Sequence, residues 1–209
     1  MGVQSMSELT RRALVFGLPI GLAGCATSGG NPMLYGAEPG GRFSLPAIDL
    51  SQIDPKFYRQ EAEYSTAEPH GTIVVDPGHH FLYFVEGGGK ATRYGVGVGR
   101  RGFAWNGTAN IRRKAEWPTW TPPEEMVKRD KEAAKYANGM PGGLDNPLGA
   151  RAMYLYQGDR DTLYRIHGTN EPWSIGQSMS SGCIRMMNQD IIDLFNRTPV
   201  GTKVVVLSA

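Results

Sequence analysis

Apolar and polar positions alternate in short bursts through the C-terminal two thirds of the chain, and Gly, Pro or Asp closes most bursts. A period of two turns one face of a strand inward. Gly71 to Asp76 (GTIVVD) and His80 to Glu86 (HFLYFVE) are β-rich runs on either side of Asp76-Pro77-Gly78, a pattern that predicts a hairpin. Ala91 to Gly99 alternates less cleanly, and Gly95, Gly97 and Gly99 predict bends where a sheet curves. Asn110 to Trp117, Arg151 to Gln157, Thr162 to His167 (TLYRIH) and Thr202 to Leu207 (TKVVVL) complete the expected strands.

The period lengthens in two places. Glu124 to Ala137 (EEMVKRDKEAAKYA) is rich in helix formers with an acidic first turn, which suits the helix dipole. In Asn188 to Phe195 (NQDIIDLF), Ile191, Ile192, Leu194 and Phe195 recur at helical spacing, with Asn188 expected as the N-cap. Between them, Asn138 to Pro147 reads as a Gly- and Pro-rich loop of functional length. The expected fold class is mainly β with short helices, built as a β-sandwich or an open barrel.

A different pattern governs the N-terminus. Arg11 and Arg12 precede an apolar run, Ala13 to Ala23 (ALVFGLPIGLA), that fits a secretory signal and is too short to span a bilayer. Leu22-Ala23-Gly24-Cys25 resembles a bacterial lipobox, in which the cysteine becomes the lipidated first residue, and Thr10-Arg11-Arg12 resembles a twin-arginine signal. The expectation is an exported, periplasmic protein held to a membrane by a lipid on Cys25. Gly and Pro then break any period from Ala26 to about Thr66, which predicts an extended tether, with a short helix over Asp54 to Tyr64. Three segments follow: a signal peptide over 1–24, a lipidated tether over 25–65 and a catalytic domain over 66–209.

Composition narrows the classes. Twenty-eight Gly, fourteen Pro and 10% aromatics suit a turn-rich β protein better than a helical bundle. Removing residues 1–24 takes away Glu8, Arg11 and Arg12, leaving 20 basic and 19 acidic residues. That balance supplies no basic field for nucleic acid.

Candidate chemistry concentrates between Arg165 and Met186 (RIHGTNEPWSIGQSMSSGCIRM). His167 closes a strand and Cys183 sits in a Ser-Ser-Gly-Cys turn, so the two form a candidate base and nucleophile. A nearby imidazolium, or N–H groups at a helix start, would lower the thiol pKa to ~3.5–7.5. Gly182 permits a sharp turn, and consecutive N–H groups around Ser181, Gly182 and Cys183 are candidate oxyanion donors. Arg185 either holds a substrate carboxylate or braces the turn through a salt bridge. Tyr154 either lines a cleft or belongs to the core; Trp117, Trp120 and the loop after them are candidates to border substrate. Trp173 and Ile175 are expected to pack the loop between His167 and Cys183. No metal site is expected: His79 and His80 sit in a turn, His70 and His167 are isolated, and zinc-type spacing is missing from the sequence.

His-Gly-Thr followed by Ser-x-Gly-Cys-Ile-Arg-Met resembles the L,D-transpeptidase catalytic domain of the YkuD type, as do WPTWTP (117–122), NPLG (146–149) and IHGTN (166–170). Ser181 stands where many members carry histidine. The resemblance implies that the cysteine attacks a peptidoglycan stem peptide at the carbonyl between an L-centre and the following D-residue. An amine acceptor, on another stem or on an envelope protein, then takes the acyl group. It also implies that the Gly168 carbonyl orients the imidazole and that no cofactor is required. The alternatives are hydrolysis at the same site and a non-catalytic, lipid-anchored peptidoglycan-binding module.

Overall fold

The computed structural model describes residue 1 and residues 30–100, 105–180 and 182–208. Cys25, the expected signal and Ser181 therefore lie outside the described residues. The strands in chain order are β1 (Glu38–Pro39), β2 (Ser44–Leu45), β3 (Gln60–Glu63), β4 (Ile73–Asp76), β5 (Phe81–Gly87), β6 (Lys90–Gly95), β7 (Val98–Gly99) and β8 (Gly107–Glu116). Helices α1 (Glu124–Arg129) and α2 (Lys131–Ala134) follow, then β9 (Arg151–Gln157), β10 (Arg160–His167), β11 (Ser178–Ser180), β12 (Ile184–Arg185), α3 (Asn188–Arg197) and β13 (Lys203–Val206). The expected class, mainly β with short helices, is what the chain forms.

Among the described residues, nine strands make one mixed sheet in the order β12-β10-β9-β8-β13-β4-β5-β6-β3. The Asp-Pro-Gly turn makes the predicted hairpin, pairing Ile73 with Phe84 and Asp76 with Phe81. The last strand inserts centrally, antiparallel to β8 and parallel to β4. Period-two patterning explains the core: Val75, Leu82, Ile111, Leu155, Ile166 and Val204 reach one shared cluster from six strands, and α3 adds Ile191 and Leu194. Each such side chain contributes ~1.5–3 kcal/mol on full burial. With that face committed to the core, the opposite face of β12, β10, β9 and β8 is left for other uses.

Several local expectations change once long-range packing is included. The tether does not extend freely over its described part: Tyr35, Ile53, Phe57 and Tyr58 form a second buried cluster with Ile175 and Met187. Within the expected helix over 54–64, only a 3-10 turn at Pro55–Phe57 forms, and Gln60–Glu63 joins the sheet as an edge strand on β6. Main-chain pairing with an exposed edge outweighs the weak helix propensity of so short a segment. The helix over 124–137 is split, because Asp130 leaves helical geometry at φ −124° and caps α2 by accepting from Glu132 and Ala133 N–H. Ala91 to Gly99 breaks where its glycines predict bends, into β6 ending at Gly95 and β7 at Val98–Gly99. Asn188 does not cap α3; Met187 holds that position, and the Asn188 side chain is used elsewhere.

Candidate active site

The site starts from a register. Strands β10 and β12 run parallel with Ile166 beside Ile184 and His167 beside Arg185. Side chains alternate, so the two isoleucines enter the core while His167, Arg185 and, one step earlier, Arg165 and Cys183 share the opposite face. Antiparallel pairing extends this row, placing Tyr154 beside Arg165 and Arg113 beside Tyr154. These residues line one cleft of about 440 Å³, together with Trp120, Met126, Pro147 and Leu148.

His167 is buried, at 4% exposure. Its Nδ1 lies 2.6 Å from the Gly168 carbonyl oxygen. A carbonyl only accepts, so Nδ1 carries the proton and Nε2 keeps its lone pair. Burial lowers the His167 pKa to about 4, against the carbonyl contact, which raises it. The loop that sets this ring is fixed by Asn188, whose Oδ1 accepts from Ala150 N–H at 2.9 Å and whose Nδ2 donates to Thr169 O at 2.9 Å. A Cβ on Gly149 or Gly168 would run into that same amide, so both glycines are required by close approach.

Burial also pushes the Cys183 thiol upward, and the Leu163 carbonyl accepts its S–H at 3.9 Å. The two features expected to lower the thiol pKa are not in place. His167 is held neutral by burial, and α3 begins five residues after the sulfur, with β12 between. The turn itself is braced by Ser180, whose hydroxyl donates to Cys183 O at 2.6 Å and accepts from Gly182 N–H at 3.1 Å. Gly182 has φ 125°, as a sharp turn before the cysteine requires.

Of the remaining candidates, Trp120 reaches the cleft, while Trp117 is buried against Phe43 and donates from Nε1 to Gly40 O. Ile175 is buried and Trp173 is 44% exposed. Arg185 pairs with Glu171 at 3.1 Å, which braces the loop between His167 and Cys183. Tyr154 is 9% exposed, and its ring carries the guanidinium groups of Arg113 and Arg165 at 4.2 and 4.5 Å. Arg113, Arg165, Leu163 and Ser180 were not singled out from the sequence. The ion pair of Arg165 with Asp161 closes across a bulge in β10, and a second β-bulge brings Arg113 to this face; neither is written in any motif. No group of three or more His, Cys, Asp or Glu side chains suited to a metal occurs among the described residues.

Residues 70–206 match the family profile described as "L,D-transpeptidase catalytic domain" (YkuD). Two relatives from Escherichia coli (strain K12), each named a probable L,D-transpeptidase, are 37% identical: YbiS over 139 residues, covering 65% of this chain and 44% of that protein, and ErfK/SrfK over 142 residues, covering 65% and 43%. The chain thus spans less than half the length of these curated relatives. A solved structure from Brucella melitensis, described as a probable carnitine operon oxidoreductase, is 51% identical, covers 76% of this chain and 99% of its own, and superposes with a TM-score of 0.51.

Proposed function

Since the chain belongs to the L,D-transpeptidase catalytic-domain family, we propose that it is a cysteine acyltransferase acting on peptidoglycan stem peptides, with Cys183 as nucleophile and His167 as base. The reading is carried by one observation: the imidazole at the end of β10 and the sulfur just before its paired strand β12 line one cleft.

In this mechanism His167 Nε2 takes the thiol proton as sulfur bonds to the carbonyl carbon between the L-centre and the D-residue. With Gly182 N–H engaged by the Ser180 hydroxyl, the oxyanion is met by the backbone N–H of Cys183, a single donor of this kind being worth ~3 kcal/mol. Collapse breaks the C–N bond, and the imidazolium returns its proton to the departing amine. An acceptor amine then loses a proton to His167, attacks the thioester and restores the thiol. The Gly168 carbonyl, accepting from Nδ1–H, keeps Nε2 aimed at these transfers. Arg185 and Glu171 keep the loop between the two groups in place. The acceptor is a second stem peptide, giving a 3-3 cross-link, or an envelope protein.

Export and lipidation at Cys25 complete the proposal on the strength of the lipobox-like LAGC at 22–25. Such an anchor would hold the protein firmly, at ~0.8 kcal/mol per buried CH₂. Labelled palmitate should enter the wild type and not Cys25→Ser.

The enzymatic reading is tested by incubating purified protein with a tetrapeptide stem and an amine acceptor. Release of the terminal D-residue with transfer product is expected, and loss of at least ~1000-fold in Cys183→Ala. Intact mass should show a carbapenem adduct on the wild type alone; an adduct on Cys183→Ala would sink the assignment.

A further inference from the structure

Three guanidinium groups line the cleft, and they are not equivalent. Arg165 makes a two-point ion pair with Asp161 at 2.7 and 2.8 Å, and Arg185 is paired with Glu171. Arg113 has no carboxylate partner among the described residues, yet its guanidinium is seated over the Tyr154 ring. Its position has a specific cause. Ile111 points into the core, and simple alternation would send Arg113, two residues on, the same way. An extra residue in β8 between them, a β-bulge, turns Arg113 to the cleft face instead.

The sheet also sets the distance. Cys183 leads directly into β12, and Arg165, Tyr154 and Arg113 follow on the next strands in one row, so the Arg113 guanidinium, drawn over Tyr154, lies about 10–14 Å from the thiol at ~4.8 Å per strand. The carboxylate of the departing residue stays within one residue length, ~3.4 Å, of the scissile carbonyl and cannot reach that far. An extended peptide crossing the row places its third or fourth residue from that carbonyl there.

We propose that Arg113 binds a peptide carboxylate three to four residues from the scissile carbonyl and makes the cleft select chains that carry it free. Which peptide occupies the cleft rests on the transpeptidase reading; the carboxylate site itself rests on the guanidinium, the ring and the bulge. The Tyr154 ring seats the receptor group in advance, so less side-chain freedom is lost when the anion arrives. A planar guanidinium and a carboxylate meet in two hydrogen bonds.

The test is a calorimetric titration of the full-length wild type, Arg113→Gln and Arg113→Lys with stem peptides whose carboxylates are free or amidated one at a time. Amidation at one remote position should weaken wild-type binding about tenfold. Arg113→Gln should bind the free peptide about tenfold more weakly and not distinguish the amidated one, while Arg113→Lys recovers part of the discrimination. If Arg113→Gln discriminates as the wild type does, the proposal is overturned. Turnover assays that amidate the donor in one arm and the acceptor in the other show which peptide supplies the anion. Binding needs no chemistry, so a protein that discriminates carboxylates without releasing the D-residue would sink the transpeptidase reading and leave this site standing.

Discussion

Cys183 donates its S–H to the main-chain oxygen of Leu163, a residue held at φ 64° in a bulge of the neighbouring strand. Together with a His167 whose pKa burial lowers to about 4, this makes the resting pair a neutral thiol and a neutral imidazole. At pH 7 the thiolate ultraviolet absorbance should therefore be absent, and should rise only above the ordinary cysteine range. Acylation by a carbapenem should hold nearly level from pH 5 to 7 and fall as pH drops toward about 4, where His167 takes up a proton. A strong thiolate signal at neutral pH would contradict the arrangement.

Leu163 is a bulky residue in left-handed backbone, with 75% of its surface exposed, so it loses little by truncation. Left-handed geometry costs an L-residue ~1–2 kcal/mol, and glycine gives back ~0.4–1 kcal/mol through its freer unfolded chain. Leu163→Gly should stabilise the fold by roughly 0.5 kcal/mol in urea unfolding. A clear loss of stability would show that the side chain, not the backbone, governs this bulge.

Asn188 joins the start of α3 to both sides of the His167 loop. Asn188→Ala leaves Ala150 N–H and Thr169 O, both on buried residues, without that partner. The expected loss is roughly 1–3 kcal/mol, with slower acylation because the imidazole is less firmly placed. Unchanged thermal unfolding would mean that water replaces the amide.

Asp190 is fully buried, accepts from the Tyr35 hydroxyl at 3.2 Å and lies 3.7 Å from Arg59 Nε. Burial outweighs Arg59 and raises its pKa to about 7, above the ~3.9 of an unfolded aspartate. The folded state thus favours the protonated form. Stability from this group is complete below pH ~4 and is lost as pH rises through about 7. The melting temperature of the wild type minus that of Asp190→Asn should fall across that window; a flat difference would refute it.

Much of this was legible in the sequence. Hydrophobic period gave the hairpin over 71–86, the strands ending at His167 and starting near Lys203, and the helix after Cys183, because each is a local pattern that a core only has to ratify. That His167 and Cys183 line one cleft was legible for the same reason, since residue types and turn chemistry sit within seventeen positions of each other. Tertiary structure decided what depends on distant partners. The segment around Tyr35 and Phe57 reads as a tether by composition, yet α3 and the loop at Ile175 offer it a buried face. Arg113 faces the cleft because a single extra residue reversed its strand's alternation. The charge state of the catalytic candidates was settled by burial, which no run of residues encodes. Local free energies are written in neighbouring residues, whereas desolvation and register are properties of the assembled sheet.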